Sequence, residues 1–170
     1  MTADAPPQPP PRVAVVGGGR ATAEELRLAH ALGAALAAAG AVVVCGGLGG
    51  VMEAAARGAR EAGGLTVGLL PGPDPRAANA WITIPIATGM GEARNALVVR
   101  AAEAVVAVGG EWGTLSEVAL ARKMGVPVGT LAPSRLTEPL GLSALSDVTR
   151  AAEWALEAVR LGRAGAGLGP

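Results

Sequence analysis

Residues 104–117 read AVVAVGGEWGTLSE, an unbroken apolar run of Val and Ala that breaks into glycines and then into helix-forming residues. A continuous Val/Ala run, rather than an alternating one, fits a strand covered on both faces, as in a parallel sheet. Similar runs lie at Arg12 to Val16, Ala41 to Cys45, Thr66 to Leu70, Trp81 to Pro85 and Pro127 to Leu131. Between them lie stretches with readable helix ends. Thr22 followed by Glu25 is a capping box and Gly40 a left-handed stop, which gives a helix over 23–39. Further helices are expected from Val51 to the Gly63-Gly64 pair, from Glu92 to Ala102, from Leu115 to Met124 with Gly125 as its stop, and from Thr149 to Leu161. Strands and helices alternating at this pitch predict one α/β domain over 12–161: a Rossmann-like, doubly wound, mainly parallel sheet of six or seven strands. A disordered Pro-rich tail (1–11) precedes it and a flexible Gly-rich tail (162–170) follows.

Composition narrows the function. Of 170 residues, 51% are hydrophobic and 16% charged, so the chain can bury a sizeable core. The formal charge is zero and the aromatic residues are Trp81, Trp112 and Trp154 alone, which argues against nucleic acid as a partner. Lys123 is the single lysine, so lysine-based covalent chemistry has one candidate, late in an expected helix. One cysteine (Cys45) and one histidine (His30) leave no internal disulfide and no ordinary metal site, and the cytoplasm is the expected compartment. Ala31 to Met52 carries no charge and is long enough to span a bilayer, but its interruption by Gly40, Gly46, Gly47, Gly49 and Gly50 and its change from Ala/Leu to Val explain it as helix, turn, strand and loop. No membrane partner is expected.

In open parallel sheets, ligands bind where the carboxyl ends of strands lead into helices. Three such ends carry glycines: Gly17-Gly18-Gly19, Gly46-Gly47-Leu48-Gly49-Gly50, and Gly109-Gly110-Glu111-Trp112-Gly113-Thr114. Glycine lets backbone N–H groups approach an anion, and the following helix adds the positive end of its dipole, so the loops point to a phosphorylated small molecule. A dinucleotide is disfavoured. Thr22 replaces the third glycine of the dinucleotide fingerprint, and Cys45 and Gly46 stand where a ribose-binding acid belongs.

The densest constellation pairs Thr88 to Asn95 with Gly109 to Glu117, two helix openings on either side of the strand 104–108, so that Arg94 and Glu117 can point into one cleft. This pair of segments resembles the LOG family of nucleoside 5'-monophosphate phosphoribohydrolases, long mislabelled as lysine decarboxylases. The family's Arg falls on Arg94, its glycines on Gly110 and Gly113, its Thr on Thr114 and its Glu on Glu117. The resemblance runs from Val13 through Leu131. A bacterial LOG-like branch has a loop matched by Gly46 to Glu53, and another, also near this pattern, includes molybdenum-cofactor carrier proteins. The sequence departs from the family at five places: Glu92 for His, Asn95 for Lys, Gly109 for Pro, Glu111 for Gly and Ser116 for Glu.

The resemblance implies Arg94 and Glu117 as catalytic residues, with Gly17, Gly18, Gly46, Gly47, Gly49, Gly50, Gly109, Gly110, Gly113 and Thr114 holding a phosphorylated, nucleotide-like ligand. No metal and no organic cofactor is called for. Two functions stay open. One is hydrolysis of an N-glycosidic bond to free base and ribose 5-phosphate, with Glu117 at the oxocarbenium-like sugar. The other is non-catalytic carriage or sensing of a phosphorylated ligand such as molybdenum cofactor or a nucleotide. Beside both stands the plain alternative of a structural Arg94–Glu117 ion pair. Glu53 reads as a carboxylate complementing a helix dipole, Cys45 as a small buried hydrophobe, and Arg20 and Trp112 as ligand-facing or merely exposed. A homodimer or larger closed oligomer is implied by the family.

Overall fold

A computed structural model describes residues 8–166. Seven strands form a single sheet: β1 (Arg12–Gly17), β2 (Val42–Cys45), β3 (Thr66–Leu70), β4 (Ile84–Ala87), β5 (Ala104–Gly109), β6 (Val128–Pro133) and β7 (Ser143–Leu145). Five helices flank it: α1 (Ala23–Ala38), α2 (Val51–Glu61), α3 (Asn95–Ala101), α4 (Trp112–Met124) and α5 (Val148–Ala166). The order β4-β3-β2-β1-β5-β6-β7 is parallel throughout. The chain therefore has the expected α/β Rossmann-like architecture.

Central β5 is buried along its whole length, as its unbroken Val/Ala run requires. Val13, Val15, Val106 and Val108 turn to a core shared with α1, α2 and α5, while Ala14, Val16, Val105 and Ala107 face α3 and α4. The chain thus leaves neighbouring β1 and β5 toward opposite faces, and this topological switch point opens a crevice at their carboxyl ends. Helices α1 and α2 pack backbone to backbone: a Cβ on Gly33 would lie 2.0 Å from the Ala55 carbonyl oxygen, and one on Gly58 would lie 1.9 Å from that of His30.

Several boundaries differ from the sequence reading. The strand expected at 81–85 begins at Ile84, because the Trp81 N–H donates to Asn79 Oδ1 and the Trp81 carbonyl accepts from the Thr66 hydroxyl, which holds Trp81 in a turn. The helix expected from Glu92 opens as a 3₁₀ turn over Gly91–Arg94 and becomes α-helical at Asn95. Helix α4 starts at Trp112, not Leu115, and α5 continues past Leu161 to Ala166, into the expected Gly-rich tail. At the other end, the carbonyls of Pro9 and Pro10 accept from Arg163 at 2.9 and 3.2 Å. The remainder of both expected tails, 1–7 and 167–170, lies outside the described residues. Among the described residues, no helix is long and apolar enough to cross a membrane.

Candidate functional site

The switch-point crevice holds a small cavity of about 110 Å³, whose walls include Gly17, Gly18, Arg94, Gly113, Thr114 and Glu117. Its floor is the start of α4. The chain leaves β5 through Gly109 and Gly110, at φ 60° and 137°, conformations that favour glycine. It enters α4 at Glu111, whose side chain makes no capping hydrogen bond. Helix α1 is different. Its Thr22 hydroxyl accepts from the Glu25 N–H at 3.2 Å and the Glu25 carboxylate accepts from the Thr22 N–H at 2.7 Å. Helix α2, from Gly50, also lacks a side-chain cap, but the Val51 N–H already donates to the Gly18 carbonyl at 3.1 Å. Of the three glycine-led helices, α4 presents its positive end most openly to an anion.

Arg94 and Glu117 do meet. Arg94 is 7% exposed and Glu117 6%, and the closest approach of guanidinium and carboxylate is 3.8 Å, an ion pair without a direct hydrogen bond. Burial pushes the Glu117 carboxyl up to about 7, with Arg94 opposing the rise and Glu92 adding to it. Arg94 donates from Nη2 to the Gly46 carbonyl at 3.3 Å and from Nη1 to Asn95 Oδ1. Its Nε has no partner, and neither does the Thr114 hydroxyl, although both are buried. Arg94 and Thr114 both line the small cavity, and two orphaned donors beside it are an unmet demand for acceptor oxygens.

A link invisible in the sequence joins the two motif segments. Asn95 Nδ2 donates to the Ser116 hydroxyl at 2.8 Å, and that hydroxyl donates to the Gly113 carbonyl at 2.7 Å. Two positions that depart from the LOG pattern are therefore in contact, and through Asn95 they help to fix Arg94.

The remaining glycines divide by location. Gly46 lies beneath Arg94, where a Cβ would come within 2.6 Å of Nη2, and a Cβ on Gly47 would come within 2.9 Å of Leu70. Gly47 and Gly49 line neither the small cavity nor the larger groove beside it. That groove, about 830 Å³, runs along α1 and α2 and takes in Gly50, Arg20, Arg27, His30, Arg57 and Trp81. Gly110 borders a shallower hollow with Trp112 and Leu136. Glu111, at the rim of the small cavity, lies 3.7 Å from Arg20. Cys45 is wholly buried and its thiol is raised to about 11, chiefly by desolvation. Glu53 is exposed in the first turn of α2, and His30 bonds Glu61 at 2.7 Å. The groove went unread because its residues come from one face of each of two helices and from Trp81, which only the fold brings together.

Comparison with known proteins places this geometry. The family model for the SLOG cluster4 family matches residues 10–155. An uncharacterized protein of Archaeoglobus fulgidus is 43% identical over 127 residues, covering 75% of this chain and 83% of its own. The molybdenum cofactor binding protein of the phototrophic bacterium Rippkaea orientalis superposes with a TM-score of 0.83 at 36% identity, over 87% of this chain and 96% of that one. The molybdenum cofactor carrier protein of Chlamydomonas reinhardtii gives 0.83 at 34% identity, over 89% and 99%.

Proposed function

Since the chain belongs to the SLOG cluster4 family, we propose that it is a carrier of a phosphorylated ligand of the molybdenum-cofactor type, held at the start of α4 and not hydrolysed there. The observation that carries this reading is the pair of buried, unpartnered donors, Arg94 Nε and the Thr114 hydroxyl, on a cavity at the open end of α4. A phosphate answers that demand: its oxygens accept from the guanidinium, the hydroxyl and the free amides of the first turn. At about 110 Å³ the cavity is small and suits a phosphate group. The remainder of the ligand lies outside it. The likeness to the two molybdenum-cofactor proteins, over nearly their whole lengths, supports the same reading.

One observation favours hydrolysis as a second reading. A carboxyl pushed up to about 7 beside an arginine is poised for proton transfer near neutral pH. Incubation with nucleoside 5'-monophosphates and a pterin side-chain monophosphate separates the two, with thermal shift and base release read on the same samples. A carrier shows a shift without release, and Glu117→Ala leaves ligand affinity nearly unchanged while Thr114→Val weakens it. Release that Glu117→Ala abolishes establishes the phosphoribohydrolase and removes the carrier reading.

A homodimer or larger closed oligomer completes the proposal. Trp112, 74% exposed, and the exposed Ile84 and Ile86 of edge strand β4 offer apolar surface that a second copy can cover. Sedimentation showing monomer alone at micromolar concentration removes this part.

A further inference from the structure

The large groove along α1 and α2 meets the small cavity at Gly19, which lines both. Its volume of about 830 Å³ falls in the ~300–1,000 Å³ range of small-molecule sites. Its wall carries an unusual flat surface. The Arg57 guanidinium carbon lies 5.4 Å from the centroid of the Trp81 ring, and Arg57 Nε donates to Glu61 Oε1 at 2.7 Å. The other Glu61 oxygen bonds His30 Nε2 at 2.7 Å, so the carboxylate that orients the guanidinium is itself tied to α1. A guanidinium layered on an indole is a stacking surface for a planar ring.

The glycine loop after β2 sets Trp81 in place. The Asn79 N–H donates to the Gly47 carbonyl at 2.9 Å and Asn79 Nδ2 to the Leu48 carbonyl at 2.8 Å. Asn79 Oδ1 then accepts from the Trp81 N–H at 3.0 Å. Loop 46–50 therefore contributes to the groove by anchoring the segment that carries Trp81. Glu53, on the same groove, adds a carboxylate acceptor suited to the exocyclic amine of a pterin or guanine.

We infer that this groove is the second half of the ligand site and seats a planar, fused-ring nitrogen heterocycle, pterin or purine, whose phosphate occupies the small cavity. The inference rests on the phosphate-carrier reading and adds the ring-binding surface, with Arg57 and Trp81 as its contacts.

Isothermal calorimetry with four probes tests it: inorganic phosphate, ribose 5-phosphate, guanosine 5'-monophosphate and a pterin side-chain monophosphate. The wild-type protein is expected to bind at least one ring-bearing probe at least tenfold more tightly than ribose 5-phosphate, and the better of the two identifies the ring. Trp81→Ala and Arg57→Gln abolish that preference and leave the two ringless probes unchanged. Trp81→Phe, which keeps an aromatic face, retains much of the preference and guards against a folding defect in the alanine variant. Thr114→Val weakens all four probes alike. Equal affinity of ring-bearing and ringless probes in the wild type overturns the groove assignment while the phosphate reading stands. So does an unchanged preference in both Trp81→Ala and Arg57→Gln. If those variants instead alter sedimentation and not ring affinity, the groove is an interface between copies and the assignment fails. If no probe binds, inorganic phosphate included, the carrier reading fails first and takes this inference with it.

Discussion

Replacing Glu117 by Gln tests whether the buried carboxyl is as desolvated as its surroundings demand. Glu117 faces Arg94 as its ion-pair partner, with Glu92 and Glu111 on the same small cavity. Its carboxyl is lifted from 4.5 to about 7, with desolvation as the largest cause. The folded state therefore holds this proton more tightly than the unfolded chain does. The associated stability is present below about 4.5 and is lost as pH rises toward 7. Between pH 5 and pH 8, ionising such a carboxyl costs the native state ~2–3 kcal/mol at 1.36 kcal/mol per unit. For a domain of this size each kcal/mol moves Tm by ~2–4 °C, so the Tm of the wild type should fall by roughly 5–10 °C relative to Glu117→Gln over that interval. The carboxylate is a counter-ion to Arg94 only once it ionises, and that attraction is already contained in the value of about 7, so the slope of the difference carries the net effect. Paired thermal melts at low salt, without ligand, measure it. A pH-independent difference refutes the claim that desolvation outweighs Arg94 at Glu117.

Three other outcomes follow from the same geometry. Thr114→Val deletes a buried hydroxyl that has no partner, so stability should be unchanged or rise by up to ~1 kcal/mol, while phosphate affinity falls about tenfold for one lost charge-assisted bond; urea melts and calorimetry check the two halves separately. Gly58→Ala places a methyl 1.9 Å from the His30 carbonyl oxygen and should lower stability in chemical denaturation by ~2–3 kcal/mol by forcing α1 from α2. Asn95→Lys and Ser116→Glu, each of which breaks the 2.8 Å bond between these side chains, should each destabilise alone yet couple favourably by ~1 kcal/mol when combined; simple additivity in that double-mutant cycle counts against a functional contact.

The sheet was legible because it is spelled in one-dimensional patterns. Continuous Val/Ala runs at 12–16, 41–45 and 104–108 have few alternatives to parallel strands, and Thr22-Glu25 or Gly125 mark helix ends within a few residues. Trp81 misled because neighbouring side chains overrode local propensity, and Glu92 because the helix opens as a tighter turn. Asn79 and Thr66 hold Trp81 in a turn, and the chain from Gly91 to Arg94 winds as a 3₁₀ turn before α3 begins. The proximity of Arg94 and Glu117 could be foreseen, since both open helices flanking one strand. Their burial, and the donors left without partners, could not, because these depend on how three loops close over one another.

The departures from the LOG pattern carry the most functional meaning once they are seen in space. Asn95 stands where the family has a cation and Ser116 where it has a carboxylate, and here the two neutral side chains hydrogen-bond to each other. That pair of changes removes one positive and one negative charge together, whereas Glu92 and Glu111 add carboxylates to the same cavity. The pair also changes the freedom of Arg94. Its Nη1 is engaged by Asn95 and its Nη2 by the Gly46 carbonyl, which leaves Nε as its unsatisfied donor. A guanidinium tethered in this way suits steady retention of an anion better than following a sugar through a change of charge and shape. With Glu117 drawn toward its neutral form by burial, the cavity is also less hostile to a dianion than a fully charged carboxylate would make it. The tether on Arg94 favours holding a phosphate, whereas the raised Glu117 carboxyl serves either reading, and both arise from what surrounds the pair.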